Sequence, residues 1–461
     1  MASTFTRRTR VASAVALIVS LAGVAPGASA FCGFYVGKAD AKLFNEASQV
    51  ILARDGNRTV ISMRNDFQGE LTDFALVVPV PVVLQKGQIH IGDPKLFERI
   101  DAYSAPRLAE YFDPNPCEVR KMARNAALPA SVDAMLAQKA RRDEALGVTV
   151  EARYTVGEYD IVILSATQSN GLETWLRQNG YRIPAQASRA LQPYVRQGLK
   201  FFVAKVNLAE QAKTGFSYLR PLQFAFEYER FMLPVRLGML NARGPQDLVA
   251  YVLTRNGRAE TTNYRTVKLP VNVELPTYVR AESPTVYKAL FETQAKREGY
   301  RVVWTEYFWD MSWCDPCAAD PLSPEELRSA GVFWLDGDLS PLGAPGTAAP
   351  PVARARAGSA PPVMLTRLHL RYTPDTLPED LMFQETQDRE NFQARYVLRH
   401  PWQGDAESCA EAKSYFEEVA RRQDREAQTL ANLTTWDLNE IRGRMNVQAM
   451  PPPKWWERLW R

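Results

Sequence analysis

Five cysteines, three histidines and one crowded aromatic stretch hold most of the candidate chemistry in this 461-residue sequence. Trp313-Cys314-Asp315-Pro316-Cys317 sets two thiols three residues apart. Such a pair can close a disulfide across a single turn. It can also exchange disulfides, with the Cys314 thiolate attacking and Cys317 resolving the mixed intermediate. Cys32, Cys117 and Cys409 complete the set of disulfide candidates. Just upstream, Glu306 and Asp310 lie in WTEYFWDMSW, where five of ten residues are aromatic. Two carboxylates among rings could act as an acid pair on a sugar, and Trp304, Tyr307, Trp309 and Trp313 could form a carbohydrate-binding platform. A buried strand with its polar groups satisfied reads the same way, and aromatics pack routinely against a cystine. That second reading is the expectation. His90 and His369 alternate with apolar residues, and His400 precedes Pro401. Nothing in their spacing specifies a metal, so they are expected as hydrogen-bonded or surface histidines.

The state of the thiols depends on compartment. Residues 1–30 carry Arg7, Arg8 and Arg10, then an apolar run to about Val24, then Ala28-Ser29-Ala30. This is the order of a cleavable export signal, with Phe31 as the expected mature N-terminus. Phe31 ahead of Cys32 argues against a lipid-anchored start. Export to the periplasm or beyond puts all five cysteines in an oxidising space. Removing the signal takes away three arginines and no acids, so the net charge falls from +4 to +1. A chain so balanced has no broad electrostatic claim on nucleic acid or an anionic membrane. No later apolar run reaches spanning length. No glycine-rich phosphate loop, nucleophile elbow or zinc-protease motif is present, and no cofactor or metal is expected.

The elements that must position these residues read as α+β: mainly antiparallel sheet with interspersed helices and a C-terminal helix. Hairpins are expected around Asp55-Gly56-Asn57 and Asn256-Gly257. FALVVPVPVVL and DIVILSA suit strands covered on both faces. VTVEARYTV alternates, with Val148, Val150, Ala152 and Tyr154 on one side and Glu151 and Arg153 on the other. Asp93-Pro94 opens one helix. In SNGLETWLRQNGY, Asn170 is the expected cap and Asn179-Gly180 the stop. A third helix starts at the capping box Ser323-Pro324-Glu325-Glu326. VMLTRLHLRY is a strand, and the helix after Cys409 should turn Ala412, Phe416 and Val419 inward. The organisation is a signal (1–30), a β-rich core (31–300), an aromatic and CxxC segment (301–337), a low-complexity loop (338–362) and a strand-plus-helix segment (363–461). The Trp- and Arg-rich tail, MPPPKWWERLWR, could graze the envelope peripherally; docking onto its own protein is the preferred reading.

RVVWTEYFWDMSWCDPC is similar over about twenty residues to the strand and redox motif of thioredoxin-like proteins. That resemblance implies thiol–disulfide exchange at Cys314 and Cys317. A helix dipole should lower the first thiol's pKa in such a site, yet here Pro321 intervenes and the capping box comes later. FCGFYVGKADAKLFNEASQVILARDG, FALVVPVP, WCDPCAADPLS and LMFQETQDRENFQARYVLRHPW together resemble the domain of unknown function 2330 family. This broader resemblance implies export and fold membership and supplies no catalytic residues. The expectation is an exported, disulfide-stabilised protein with a structural or binding role. Cys314 and Cys317 are expected to be oxidised, to each other or with Cys409, as a staple.

Overall fold

A computed structural model describes residues 34–37, 47–65, 74–118, 148–183, 187–207, 209–210, 219–241, 244–312, 320–336 and 362–445. The fold is α+β, built around two stacked sheets. The larger has nine strands. Its spatial order is β14 (Arg265–Lys268), β16 (Val302–Asp310), β17 (Met364–Tyr372), β12 (Gln246–Thr254), β2 (Ala47–Asp55), β3 (Arg58–Asn65), β10 (Leu222–Glu227) and β5 (Ile89–Ile91). The short β19 (Phe392–Gln393) also pairs with β16. The second sheet runs β1 (Phe34–Gly37), β4 (Phe74–Val80), β9 (Lys200–Val206), β8 (Tyr159–Ser165) and β7 (Thr149–Val156). Two three-stranded sheets flank them. One is β11 (Met232–Leu233), β18 (Leu381–Glu385), β13 (Ala259–Thr261). The other is β15 (Val273–Leu275), β20 (Arg395–His400), β6 (Arg107–Phe112).

Alternation along the strands makes the layers. Val50, Leu52, Ile61, Phe224, Leu248, Ala250 and Leu368 leave one face of the nine-stranded sheet. They pack against Leu76, Val78, Ile161, Ile163, Phe202 and Ala204 of the five-stranded sheet. The outer face of the smaller sheet, Val77, Leu164, Phe201 and Val203, is covered by helices α2 (Ser169–Gln178) and α3 (Ala187–Arg196). The outer face of the larger sheet carries Ile51, Tyr251, Leu365 and Tyr307. Helices α1 (Pro94–Ser104) and α5 (Pro324–Ser329) close over it. Farther along that face, Val302 and Trp304 pack under helices α4 (Ser283–Arg297), α6 (Ala410–Thr434) and α7 (Leu438–Arg444). The result is helices, sheet, sheet, helices. None of the described helices is long and apolar enough to cross a membrane.

Local signals explain many boundaries. Gly56 takes φ +59, and the two-residue loop lets Asp55 pair with Arg58 as the β2–β3 hairpin. Asp93 caps α1 by accepting from the Lys95 amide, with Pro94 at the first helical position. Ser323 and Glu326 form the reciprocal box that starts α5. On α6, Ala412 and Val419 are buried and Phe416 is half-buried.

Three local expectations are corrected. Asn256-Gly257 turns the chain but makes no hairpin, because β12 pairs with β17 and β2 while β13 pairs with β18. The Glu385 carboxylate accepts from the Asn256 and Gly257 amides and draws the chain toward β18. In β7 the pairing shifts between Val150 and Ala152. Val148 therefore packs with the α2 side, while Ala152 and Tyr154 pack between the sheets. Asn170 lies inside α2, which is preceded by Gln168, and Glu173 bonds Arg177 and Ser188.

Candidate functional site

The site is built on a defect in β16. Trp304 pairs with His369 and Thr305 with Leu368, but Tyr307 pairs with Arg367, so Glu306 is an extra residue. A bulge of this kind re-aims a side chain, and here it turns Glu306 onto β17. There Arg367, His369 and Arg371 alternate with leucines and share one face. Glu306 is fully buried. Its Oε2 accepts from Arg367 Nε at 2.5 Å, and its Oε1 meets His369 Nδ1 at 2.5 Å. The Tyr287 hydroxyl of α4 donates to the same Oε1.

The contacts spread in both directions. Arg367 Nη1 donates to Asp101 of α1 at 2.7 Å, and Tyr251 donates to the same carboxylate at 2.6 Å. On the other side Arg371 donates two bonds to Asp247, one of them Nε to Oδ1 at 2.6 Å, and one to Glu292 of α4. Asp247 Oδ1 also lies 3.7 Å from His369 Nε2. Phe291 stacks on the His369 ring, 3.6 Å between centroids. Glu292 is further held by Tyr300 and Lys296. One chain of ion pairs thus ties α1, three central strands and α4 together.

Burial alone would push the Glu306 carboxyl up. The charges of His369 and Arg367, with hydrogen bonds from His369 and Tyr287, overcome it and hold the group down at about 2. Burial opposes charge on His369 too, yet Glu306 and Asp247 raise its pKa, so the imidazolium form is favoured. Asp247 is lowered and Arg367 is raised, each by its partners against the burial penalty. Tyr287 is pushed well up, first by burial and then by Glu306, and stays a hydrogen-bond donor. His369 is clamped between two carboxylates, with Asp247 where a triad would place its nucleophile. The arrangement can hold fixed charge and register. Among the described residues its central groups, Glu306, Arg367 and His369, are buried and engaged with one another.

Other predicted residues are not brought together. Asp310 accepts from the amide and hydroxyl of Ser312 and pairs with Arg389 at 3.3 Å. Past the bulge, Trp309 packs toward the α1 side, so alternation sends Asp310 to the opposite face. Glu306 and Asp310 are no acid pair. Nor do the described rings offer a sugar platform: Trp304 and Tyr307 are buried in two separate clusters, and Trp309 is half-buried. Trp313, with Cys314 and Cys317, lies outside the described residues, as do Cys32, the low-complexity loop and the Trp/Arg tail. His90 is exposed on β5, and His400 meets Glu110 at 2.8 Å beneath Phe112. Among the described residues no group of three or more His, Cys, Asp or Glu could hold a metal ion.

Cys117 and Cys409 form a disulfide across a sequence separation of 292. Cys409 is therefore bonded to Cys117, which removes it as the alternative partner of Cys314 or Cys317. Cys409 is the residue before α6, and Cys117 follows β6. Beside them Asp113 accepts from Tyr415 and from Arg422, each at 2.7 Å. One helical turn beyond Arg422, Glu426 is buried and its Oε1 has no hydrogen-bond partner among the described residues. Burial pushes its carboxyl up to about 7, against the nearby Arg422.

Arg367, Asp247, Arg371, Glu292 and Tyr287 escaped sequence reasoning. For β17 the signal was present: TRLHLRY puts three cations at alternate positions of a strand, which a buried face tolerates only with matching acids. No local signal marks the acids, which come from β12, β16, α1 and α4.

No curated protein matches the chain, and no solved structure matches it. A family profile matches residues 26–384 and is described as an uncharacterized protein conserved in bacteria. A match over that span, in a chain that carries its own ionic clamp and cross-link, places this protein in the DUF2330 family.

Proposed function

We propose that the protein is exported and works in the periplasm or outside the cell as a disulfide-stapled protein with a structural or binding role. The observation that carries this reading is the Cys117–Cys409 bond. Disulfides of this kind persist in oxidising compartments, and the arginines, apolar run and Ala28-Ser29-Ala30 of the first thirty residues supply a route there. The saturated carboxylates around Arg367 and His369 support a scaffold rather than a reaction centre. The Trp/Arg tail then serves, at most, as a peripheral contact with the envelope. Exchange at Cys314 and Cys317 is the competing reading. The described helix after that motif starts only at Pro324, which favours a staple there too.

The test is mass analysis of protein recovered from the cell envelope fraction. A mature chain starting at Phe31 and a non-reduced peptide pair linking Cys117 to Cys409 are expected. Retention of residues 1–30, or alkylation of both cysteines without reduction, would sink the reading. Rapid alkylation of Cys314 near neutral pH after mild reduction, with turnover of insulin disulfides, would establish the exchanger instead.

A further inference from the structure

The outer face of the nine-stranded sheet ends, on the side away from Glu306, in a trough. Asp55, Arg58 and Glu227 stand in one row across β2, β3 and β10, because Asp55 pairs with Arg58 and Arg58 with Glu227, and Arg255, the residue after β12, joins the row at Asp55. Their charges alternate along the row. Asp55 and Arg255 lie 2.8 Å apart, and Arg58 and Glu227 3.1 Å. The next row inward is small and apolar, Val60 beside Ala225. Phe333 forms a wall over both rows. The cleft they line holds about 400 Å³, within the range of small-molecule sites.

We propose that this trough binds a zwitterionic ligand of the α-amino acid or short-peptide class. The ligand carboxylate pairs with the Arg58 and Arg255 guanidinium groups, its ammonium with Glu227 and Asp55, and its side chain lies on Val60, Ala225 and Phe333. A polyanion would meet the two acids and be repelled. A neutral sugar would leave the charges of both ion pairs unanswered, and Trp334, buried and donating to the Pro362 carbonyl, offers it no ring face. The residents can change partners at little cost. Side-chain exposure of Arg58 and Glu227 is 49% and 62%, and such surface pairs contribute only about 0–1 kcal/mol. Arg255 Nε is buried without a hydrogen-bond partner among the described residues, an unmet donor beside the cleft. This proposal goes beyond the scaffold reading and does not depend on the compartment.

Calorimetric titration of the full chain with alanyl-leucine tests it, alongside the N-acetylated and C-amidated forms. Binding of the free dipeptide is expected, and blocking either end should weaken it at least about tenfold. Arg58→Ala and Glu227→Ala should each do the same. Ala225→Trp, which fills the floor without touching a charge, should abolish binding. The double exchange Arg58→Glu with Glu227→Arg keeps an ion pair and should also lose the ligand, separating loss of recognition from loss of fold. No heat from the free dipeptide up to millimolar concentration, equal binding of the blocked forms, or binding that survives Ala225→Trp overturns the proposal. Each outcome is independent of the mass analysis above.

Discussion

The two ends of one sheet face use the same residue types for opposite purposes. Around Glu306 the central charges, Glu306, Arg367 and His369, are buried and the flanking Asp101, Asp247, Arg371 and Glu292 half-buried, each locked by several partners. At the Arg58 row they are half in water, one partner each across the strands. In the first place leaving a charge unpaired is very costly, so the set fixes register and holds α1 and α4 to the sheet. In the second, water can replace a partner, and so can a ligand. Charge chemistry is decided here by burial, which the residue types alone do not convey.

The largest contrast comes from breaking one pair at each end. Arg367→Met should destabilise the protein by about 3–5 kcal/mol, because it strips the fully buried Glu306 of one of its two cations and Asp101 of its partner. Urea unfolding measures it, and a loss under 1 kcal/mol would remove the clamp interpretation. The sign with pH is fixed by Glu306. Its folded carboxyl at about 2 lies below the ordinary value of 4.5. The contribution is therefore present above 4.5 and lost as pH falls toward 2. Glu306→Gln should flatten that acid limb of the unfolding profile.

Next in size is the cross-link. Cys409→Ser should lower stability by about 2–4 kcal/mol under oxidising conditions and change nothing in a reduced sample, which thermal melts with and without reductant compare. Glu426→Gln runs the other way. Folded Glu426 binds its proton up to about 7, so the wild-type chain loses stability as pH rises from about 4.5 to 7. The variant should gain roughly 1–3 kcal/mol at pH 7.5 and nothing at pH 4. Equal gains at both values would mean that the buried carboxyl is not what titrates. Smallest is Arg58→Ala, where a change below about 1 kcal/mol is expected. A loss as large as that at Arg367 would erase the distinction between the two ends.

What the sequence revealed was local, and what it concealed was long-range. Asp93-Pro94, the Gly56 turn and the Ser323 box each act through a backbone group a few residues away, and all three stand where their letters put them. Asn256-Gly257 has equally strong letters and no hairpin, because Glu385, more than a hundred residues later, takes its amides. The bulge at Glu306 is invisible for the same reason. An extra residue is defined only against the strand beside it. His369 was visible as a strand histidine, but its two carboxylates come from β16 and β12, so its role needed the fold. The aromatic crowding around it read correctly as packing rather than as a platform: the bulge puts Trp304, Tyr307 and Trp309 on one face, but helices close over that face and leave no open ring surface.

The Cys117–Cys409 bond makes most of the chain a covalent ring with two branches outside it. A ring cannot be threaded. If the chain is exported, as proposed, and passes in extended form, residue 409 must be delivered before the bond closes, and oxidation then follows passage instead of accompanying it. Once closed, a single proteolytic cut anywhere between the two cysteines opens the ring without releasing a fragment. The damaged protein keeps its full mass until a reductant reaches it, and only gels run with and without one would distinguish the intact chain from the nicked one.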